Sequence, residues 1–308
     1  MNLSATVILY NPQEIGISRV IKNIQSWSSY CKKIYIIDNT PYKTTDTEII
    51  CNSIENSFYI YNGNKGGIAG AQNKACEQAV KDGFDWIMTM DQDSIFDSND
   101  IKKYIQLVEE YILIDKKNVS FGPKIKNLNE SVYWTKKIRL KILSPIKRKL
   151  LGKKWHPRLE PDIKYPDMII ASGNILKLNV WKQSGCFDEF LFIDEVDANM
   201  CHNIIRLGYK IVQFNTVILK QRFGSKVFSL LPKYYGNYNN DRTYRIIRNV
   251  YIESFRFPEY SKKYKKEIKK RFFDNCINTI HPILGLKIFF KARKAALMHI
   301  EQTANSNN

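Results

Sequence analysis

Cysteine, histidine and long apolar runs are all scarce in this chain, and each scarcity excludes something. The six cysteines among 308 residues (Cys31, Cys51, Cys76, Cys186, Cys201 and Cys276) are scattered and form no CxxC pair. Neither a zinc site nor a disulfide framework is implied, and reduced thiols in a cytosolic protein fit the pattern. The four histidines, His156, His202, His281 and His299, have no ligand spacing and are assigned no role. No run of roughly 18 apolar residues is present, so no membrane-spanning helix is expected. The chain opens without a basic stretch followed by an apolar core, and Ala5–Tyr10 reads as a first strand rather than a leader. The Lys-Ser/Thr ending of a P-loop and the GxGxxG spacing of a dinucleotide site are both missing. Internal repeats are absent, and 14 glycines and 10 prolines are ordinary for a globular chain.

Positive charge is plentiful but unevenly spread. The formal net charge is +18. Residues Tyr133–Lys164 hold 11 Lys/Arg against 2 Asp/Glu, and Ser261–Asn308 hold 11 against 3, which leaves the rest of the chain close to neutral. The basicity therefore belongs to two segments, each a candidate contact for an anionic partner. In the second, Lys262-Lys263, Lys265-Lys266 and Lys269-Lys270-Arg271 adjoin Phe272-Phe273, and Lys287, Lys291, Arg293 and Lys294 are interleaved with Ile288-Phe289-Phe290. This mixture suits an interfacial helix on an anionic membrane. A helical pair packed on the main domain is the other reading.

Short β-branched or aromatic runs alternate with helix-like stretches over the first 125 residues. Strands are expected at Ala5–Tyr10, Lys33–Asn39, Ser57–Tyr61 and Phe84–Met90. Helices are expected at Gln13–Ser28, Thr45–Ser53, Gly67–Asp82 and Ser98–Tyr111, the last capped by Asp97-Ser98. That alternation predicts α/β architecture with a mostly parallel central sheet flanked by helices. A basic, proline-bearing excursion over Tyr133–Pro166 follows. Beyond it come a strand at Met168–Leu178, a helix at Ala198–Leu207, a strand at Lys210–Leu219, and helices at Arg242–Arg256 and Tyr264–Glu301. The expected organisation is an α/β domain over 1–225 and a helical, basic extension over 226–308.

Four features carry chemistry. Asp91-Gln92-Asp93-Ser94 ends the apolar run Phe84–Met90, and a strand tip bearing two carboxylates can hold a hard divalent cation against a phosphate. Tyr10-Asn11-Pro12 and Asp38-Asn39-Thr40 put polar side chains at two more strand ends. A carboxylate such as Asp38 can accept the imide N–H of a pyrimidine, although all these residue types also favour turns. The glycine-rich stretch Asn62–Asn73 precedes a helix whose N-terminus would attract phosphate; a plain loop-to-helix junction is the alternative. Asp194, Glu195 and Asp197 form a second acidic cluster, readable as a catalytic base or as acids drawn to a helix N-terminus. Basic composition alone would also fit nucleic-acid binding, but two acidic clusters would repel phosphate without a metal, and no nucleic-acid partner is expected.

In this order and spacing the motifs resemble glycosyltransferase family 2, inverting enzymes of the GT-A fold, and in particular its bacterial rhamnosyltransferase branch. The residues concerned are Tyr10-Asn11-Pro12, Asp38-Asn39, Asn62–Asn73, Asp91–Ser94, Ser172-Gly173 and Gly185–Asp197. Arg242-Thr243-Tyr244 with Arg248-Asn249 is similar to an Arg-x-Tyr-Tyr-x-x-Arg-Asn stretch of that branch. The resemblance covers residues 3 to 250. It implies a nucleoside-diphosphate sugar donor contacted by Tyr10, Asn11, Asp38, Asn64, Lys65, Gly66, Asp91, Gln92, Ser172 and Gly173. It further implies Mg²⁺ or Mn²⁺ on Asp93 and Asp91, with Asp197 as base and Asp194 as second choice. The favoured donor is dTDP-L-rhamnose, with a UDP-hexose or UDP-N-acetylhexosamine as alternative. The acceptor would be a surface or lipid-linked glycan, reached in the cytoplasm at the inner face of the membrane. The sequence departs from the branch at Gln221-Arg222-Phe223-Gly224, where His-x-x-Gly is common, and at Arg245, which replaces the second Tyr.

Overall fold

A computed structural model describes residues 1–128, 161–222, 238–277 and 281–306. Most of the first basic stretch, His156, Phe223-Gly224 and the expected domain boundary at 225/226 lie outside the described residues. Among those described, nine strands form one sheet. They are β1 (Leu3–Leu9), β2 (Ile34–Asp38), β3 (Ser57–Tyr61), β4 (Trp86–Asp91), β5 (Ser94–Phe96), β6 (Asn118–Asn127), β7 (Ile163–Lys164), β8 (Asn174–Lys177) and β9 (Lys210–Gln221). The order is β3-β2-β1-β4-β8-β6-β9-β5, with β7 paired to β9. β1 to β4 are mutually parallel where they pair, while β8 runs antiparallel to both β4 and β6. β1 to β4, β6 and β9 keep one direction, as expected, while the short strands β5, β7 and β8 are reversed, so the sheet is mixed.

β1 and β2 are buried along their whole length, as an apolar run covered on both faces must be. The two polar side chains within β1 are satisfied locally: Ser4 Oγ donates to the Trp86 carbonyl and Thr6 Oγ1 to that of Tyr35, both at 3.1 Å. β3 lies at the edge and is partly exposed. One helical layer contains α1 (Ile17–Gln25), α2 (Thr45–Asn52) and α4 (Ser98–Ile114), which bury Val20, Ile24, Ile50, Ile101 and Val108. The other contains α3 (Gly67–Lys81), α5 (Leu178–Gln183) and α6 (Val196–Arg206), which contribute Ala69, Ala75, Trp181, Met200 and Ile204. A C-terminal set, α7 (Asn240–Arg256), α8 (Ser261–Phe272) and α9 (Pro282–Ser306), packs around Ile246, Val250, Tyr264 and Phe289.

Several boundaries differ from the sequence expectation for physical reasons. The strand expected at Met168–Leu178 shrinks to β8, because Gly173 at φ +80° turns the chain just before it. The single helix expected at Gln13–Ser28 is split at Gly16, φ +97°. The long helix expected over Tyr264–Glu301 is broken by a π-turn at Phe273–Ile277 and restarts at Pro282, which lacks an N–H and suits a first turn. Asp97 does occupy the α4 N-cap, but its side chain makes no cap hydrogen bond and pairs instead with Lys220 at 2.6 Å.

Candidate active site

The topology delivers the polar strand ends to one edge. Parallel register sets Leu9 beside Asp38 and Ile8 beside Asp91, so Tyr10, Asp38 and Asp91 leave the sheet together. β2 and β4 flank β1 on opposite sides, making this the switch point where an open α/β sheet forms its crevice. Gln92 locks the rim, its amide accepting from the Tyr10 N–H at 3.1 Å and donating to the Tyr10 carbonyl at 2.8 Å. Tyr10 itself is exposed. Asn11 takes a left-handed φ of 45° and donates its N–H to Thr40 Oγ1. Asp38 is fully buried; its carboxylate accepts from the Thr40 N–H at 3.0 Å and the Tyr59 hydroxyl at 3.1 Å.

The acidic turn is bound from two other strands. β8 runs antiparallel to β4, with Thr89 opposite Asn174, so the segment leading into β8 carries Ser172 to the β4 tip. Ser172 Oγ donates to Asp91 Oδ2 at 3.0 Å and contacts Ser94 Oγ at 2.6 Å. Gln221, the last residue of β9, pairs with Ser94 in the ladder. Its Nε2 donates to Asp91 Oδ2 at 2.7 Å and to Asp93 Oδ1 at 3.2 Å. The residue at the common histidine position therefore joins the two carboxylates. Gln221 is only 6% exposed, and its Oε1 has no partner among the described residues. Burial raises the pKa of Asp91 against the Ser172 and Gln221 hydrogen bonds. Burial and then the Asp91 charge push Asp93 up to about 6.

Among the described residues no three His, Cys, Asp or Glu side chains cluster to hold a metal ion. Two oxygen-donor carboxylates beside an orphaned amide oxygen nevertheless suit a hard cation that completes its shell with water and substrate phosphate.

Asp197 lies in the first turn of α6, and its Oδ2 accepts the Ala171 N–H at 3.0 Å. One bond thus ties it to the segment that carries Ser172. Burial, opposed by that hydrogen bond and aided by the charges of Asp91 and Asp194, pushes Asp197 up to about 7. Asp194 is engaged differently: Arg242 Nε and Nη2 hold both its oxygens, at 2.9 and 3.0 Å. The chain reaches Asp197 through left-handed Phe192, Asp194 and Glu195, at φ 67°, 59° and 61°. Such non-glycine residues cost about 1–3 kcal/mol each and persist only where their surroundings over-determine them.

The glycine-rich stretch is used for packing at this junction. A Cβ on Gly67 would sit 2.2 Å from the Phe192 carbonyl oxygen, and one on Gly66 would sit 2.5 Å from Glu189 Oε2. The Ile68 N–H donates to the Phe192 carbonyl at 2.8 Å, so the first turn of α3 faces the 187–192 segment. Asn73, further along α3, donates to the Phe187 carbonyl and to Glu189. Lys65 is exposed, and Asn64 Oδ1 accepts from Asn39 at 3.2 Å. Gly173 is buried, with its carbonyl accepting from Tyr104, and a Cβ on it would sit 2.8 Å from Pro123 Cγ.

Three contributors were not singled out as site residues from the sequence: Tyr59, which holds Asp38; Gln221, which joins Asp91 to Asp93; and the α7 face that holds the 188–195 segment. For α7 the available signal was the arginine spacing 242, 245, 248, which places three cations on one helix face.

Comparison with known proteins agrees with this architecture. The family model described as glycosyl transferase family 2 matches residues 4–160. A dTDP-rhamnosyl transferase, RfbF of Shigella flexneri, is 24% identical over 252 residues, 82% of this chain and 79% of the relative. Among solved structures, S. aureus TarS aligns with TM-score 0.53 at 14% identity over 89% of this chain; the chain spans only 44% of that protein. GalNAc-T7 with UDP, GalNAc and Mn²⁺ aligns with TM-score 0.54 at 13% identity, over 96% of this chain and 55% of that one. These structural likenesses carry the GT-A fold and nothing finer. With its fold and half its length matched, the chain belongs to glycosyl transferase family 2.

Proposed function

We propose that the protein transfers a sugar from a nucleoside-diphosphate donor to a glycan hydroxyl with inversion, and that the donor is dTDP-L-rhamnose. The observation that carries the reading is the meeting of the Asp91–Asp93 pair with Asp197, through Ser172 and Ala171, at the sheet's switch point. The S. flexneri relative, named for dTDP-rhamnosyl transfer, supports the donor.

Asp38 contacts the pyrimidine base from the end of β2, exchanging the Thr40 or Tyr59 hydrogen bond for the base. Tyr10, Asn11, Asn64, Lys65, Gly66, Gln92 and Gly173 form or brace the surrounding donor surface, and Ser172 orients Asp91. Mg²⁺ or Mn²⁺ would be held by Asp91 and Asp93, where it supplies charge to the leaving diphosphate. Asp197 is the base: it takes the acceptor hydroxyl proton on Oδ1, the oxygen not bound by Ala171. A carboxylate raised to about 7 is matched to proton abstraction near neutral pH. The attack then comes from the face opposite the diphosphate, whose bond to the anomeric carbon breaks. Asp194, the other candidate, is committed to Arg242.

No helix among the described residues is long and apolar enough to cross a membrane. The outer face of α9 exposes Ile283, Phe290 and Met298 beside Lys287, Lys291 and Lys294. That face fits a peripheral contact with an anionic membrane at the cytoplasmic side, where a lipid-linked glycan acceptor would be met.

Calorimetry of dTDP- and UDP-sugars with Mn²⁺, on wild type and Asp197→Asn, tests the reading. Wild type should prefer dTDP-rhamnose, and Asp197→Asn should keep that binding while losing turnover. Preference for a UDP-hexose would overturn the donor, and full turnover by Asp197→Asn would overturn the base.

A further inference from the structure

The side of α7 turned toward α6 is built almost entirely to hold one loop. Asn249 is fully buried, and its Nδ2 donates to the carbonyls of Leu191 (2.8 Å), Ile193 (2.9 Å) and Asp194 (3.1 Å). Its Oδ1 accepts from Arg248 Nε and Nη2, so the amide is fixed in orientation. Arg248 in turn donates to the Phe190 carbonyl at 2.7 Å and lies over the Phe190 ring at 4.5 Å. One step toward the helix start, Arg245 covers the Phe192 ring at 4.1 Å, and Arg242 grips Asp194. Toward the helix end, Glu253 accepts from Asn199 of α6, and Arg256 pairs with Asp188. Successive turns of one helix thus engage residues 188 to 199.

A helix that needed only to adhere would present apolar side chains. α7 does so on its other side, where Ile246, Ile247 and Val250 meet α8 and α9. Toward the loop it spends a buried amide on three main-chain carbonyls. These bracket the left-handed residues Phe192 and Asp194, whose main chain is held from the other side by the Ile68 N–H on the Phe192 carbonyl.

We propose that Asn249, supported by Arg248 and Arg242, is a positioning residue for sugar transfer. It holds the left-handed 192–195 turn in the one arrangement that places Asp197 against the donor site. The inference rests on Asp197 being the base. It assigns α7 a part in turnover separate from donor binding: none of its hydrogen bonds among the described residues involves Asp38, Asp91 or Asp93, and Arg242 acts on Asp91 only through its charge, which Arg242→Lys retains.

The test uses the full chain with Asn249→Asp, an isosteric change that removes both N–H donors, and with Arg242→Lys, which keeps charge but loses the two-pronged grip. Both are measured below their melting temperatures beside Asp197→Asn. Asn249→Asp should lower kcat by about tenfold or more, as a misplaced reacting group does, while donor-nucleotide Kd stays within about twofold. Arg242→Lys should show the same split in smaller measure. Hydrogen exchange should quicken in the peptide spanning 190–197 and stay unchanged in β1 and β4. Wild-type kcat in both variants, or kcat and donor affinity falling together, would overturn the proposal. If Asn249→Asp does not fold, the Arg242→Lys split decides alone. Full activity of Asp197→Asn would instead overturn the base assignment, whatever Asn249 does.

Discussion

Replacing Gly67 with alanine probes the junction between the glycine-rich turn and the loop that precedes Asp197. Gly67 sits at φ +62°, and an added Cβ would lie 2.2 Å from the Phe192 carbonyl oxygen and 2.6 Å from its ring. Two costs add. Left-handed backbone costs an L-residue about 1–2 kcal/mol, and forcing a methyl into a filled space costs about 1–3 kcal/mol more. The expected loss is therefore about 2–5 kcal/mol. Gly83 supplies the control: at φ +79° with nothing within 4 Å, Gly83→Ala should pay the backbone cost alone. For a chain of this size 1 kcal/mol corresponds to about 2 °C in Tm. Gly67→Ala should thus melt about 4–10 °C below wild type, and Gly83→Ala about 2–4 °C below, by calorimetry. The Phe192 carbonyl cannot retreat without loosening the Ile68 N–H and shifting the turn two residues before Asp194. Gly67→Ala should accordingly lose kcat at temperatures where it is fully folded, and Gly83→Ala should not. Equal melting of the two variants, or wild-type kcat in Gly67→Ala, would refute the packing role given to the glycines.

Three further outcomes are expected. Asp197, raised to about 7 mainly by burial, must be ionised to act as base, so kcat/KM should rise with pH through about 7. The sign for stability is opposite: a carboxyl whose folded pKa lies above its unfolded one stabilises at low pH and loses that contribution as pH rises through about 7. Asp197→Asn should flatten the decline of Tm between pH 5 and 8, and an unchanged decline would contradict the assignment. Gln221→Ala removes the donor shared by Asp91 and Asp93, and should cost about 1.5–3 kcal/mol in chemical denaturation at pH 8. A neutral result would mean that the amide bridge is not formed in solution. Lys287→Glu with Lys294→Glu should cut sedimentation with anionic vesicles by tenfold or more at low salt, at about 1 kcal/mol per basic residue. Equal binding to uncharged vesicles would rule out the electrostatic contact.

The order of elements was legible because local signals and tertiary context agree in the first half. Ala5–Tyr10 and Lys33–Asn39 are apolar in succession, and the structure buries β1 and β2 on both faces. The ends were less legible wherever one residue's backbone decided them. Gly16 and Gly173 look like tolerable interruptions in sequence, yet their left-handed φ values end a helix and delay a strand. β5, three residues long, carries too little pattern to be seen, and it forms because β9 runs alongside.

At the site, residue types were easier to read than their partners. That Asp91, Asp38 and Asp197 bear carboxylates at element ends follows from the one-dimensional pattern. Which groups hold them does not, because those arrive from 20 to 130 residues away: Tyr59 to Asp38, Ala171 to Asp197, Gln221 to Asp91. The glycine-rich turn shows the same limit. Small residues before a helix announce a close approach of something, and a phosphate and a neighbouring loop place the same demand on the backbone. In the fold the close approach on this side belongs to Phe192 and Glu189, so Gly66 and Gly67 also seat the loop that leads to Asp197. Asn249 was visible only as part of a resemblance. A buried asparagine gains its meaning from the three carbonyls it meets, and those lie 55 to 58 residues earlier in the chain. Both faces of the 187–195 loop are therefore specified by distant residues, glycines of α3 on one side and the α7 amide on the other. That double specification is what allows three left-handed residues to stand directly before the candidate base.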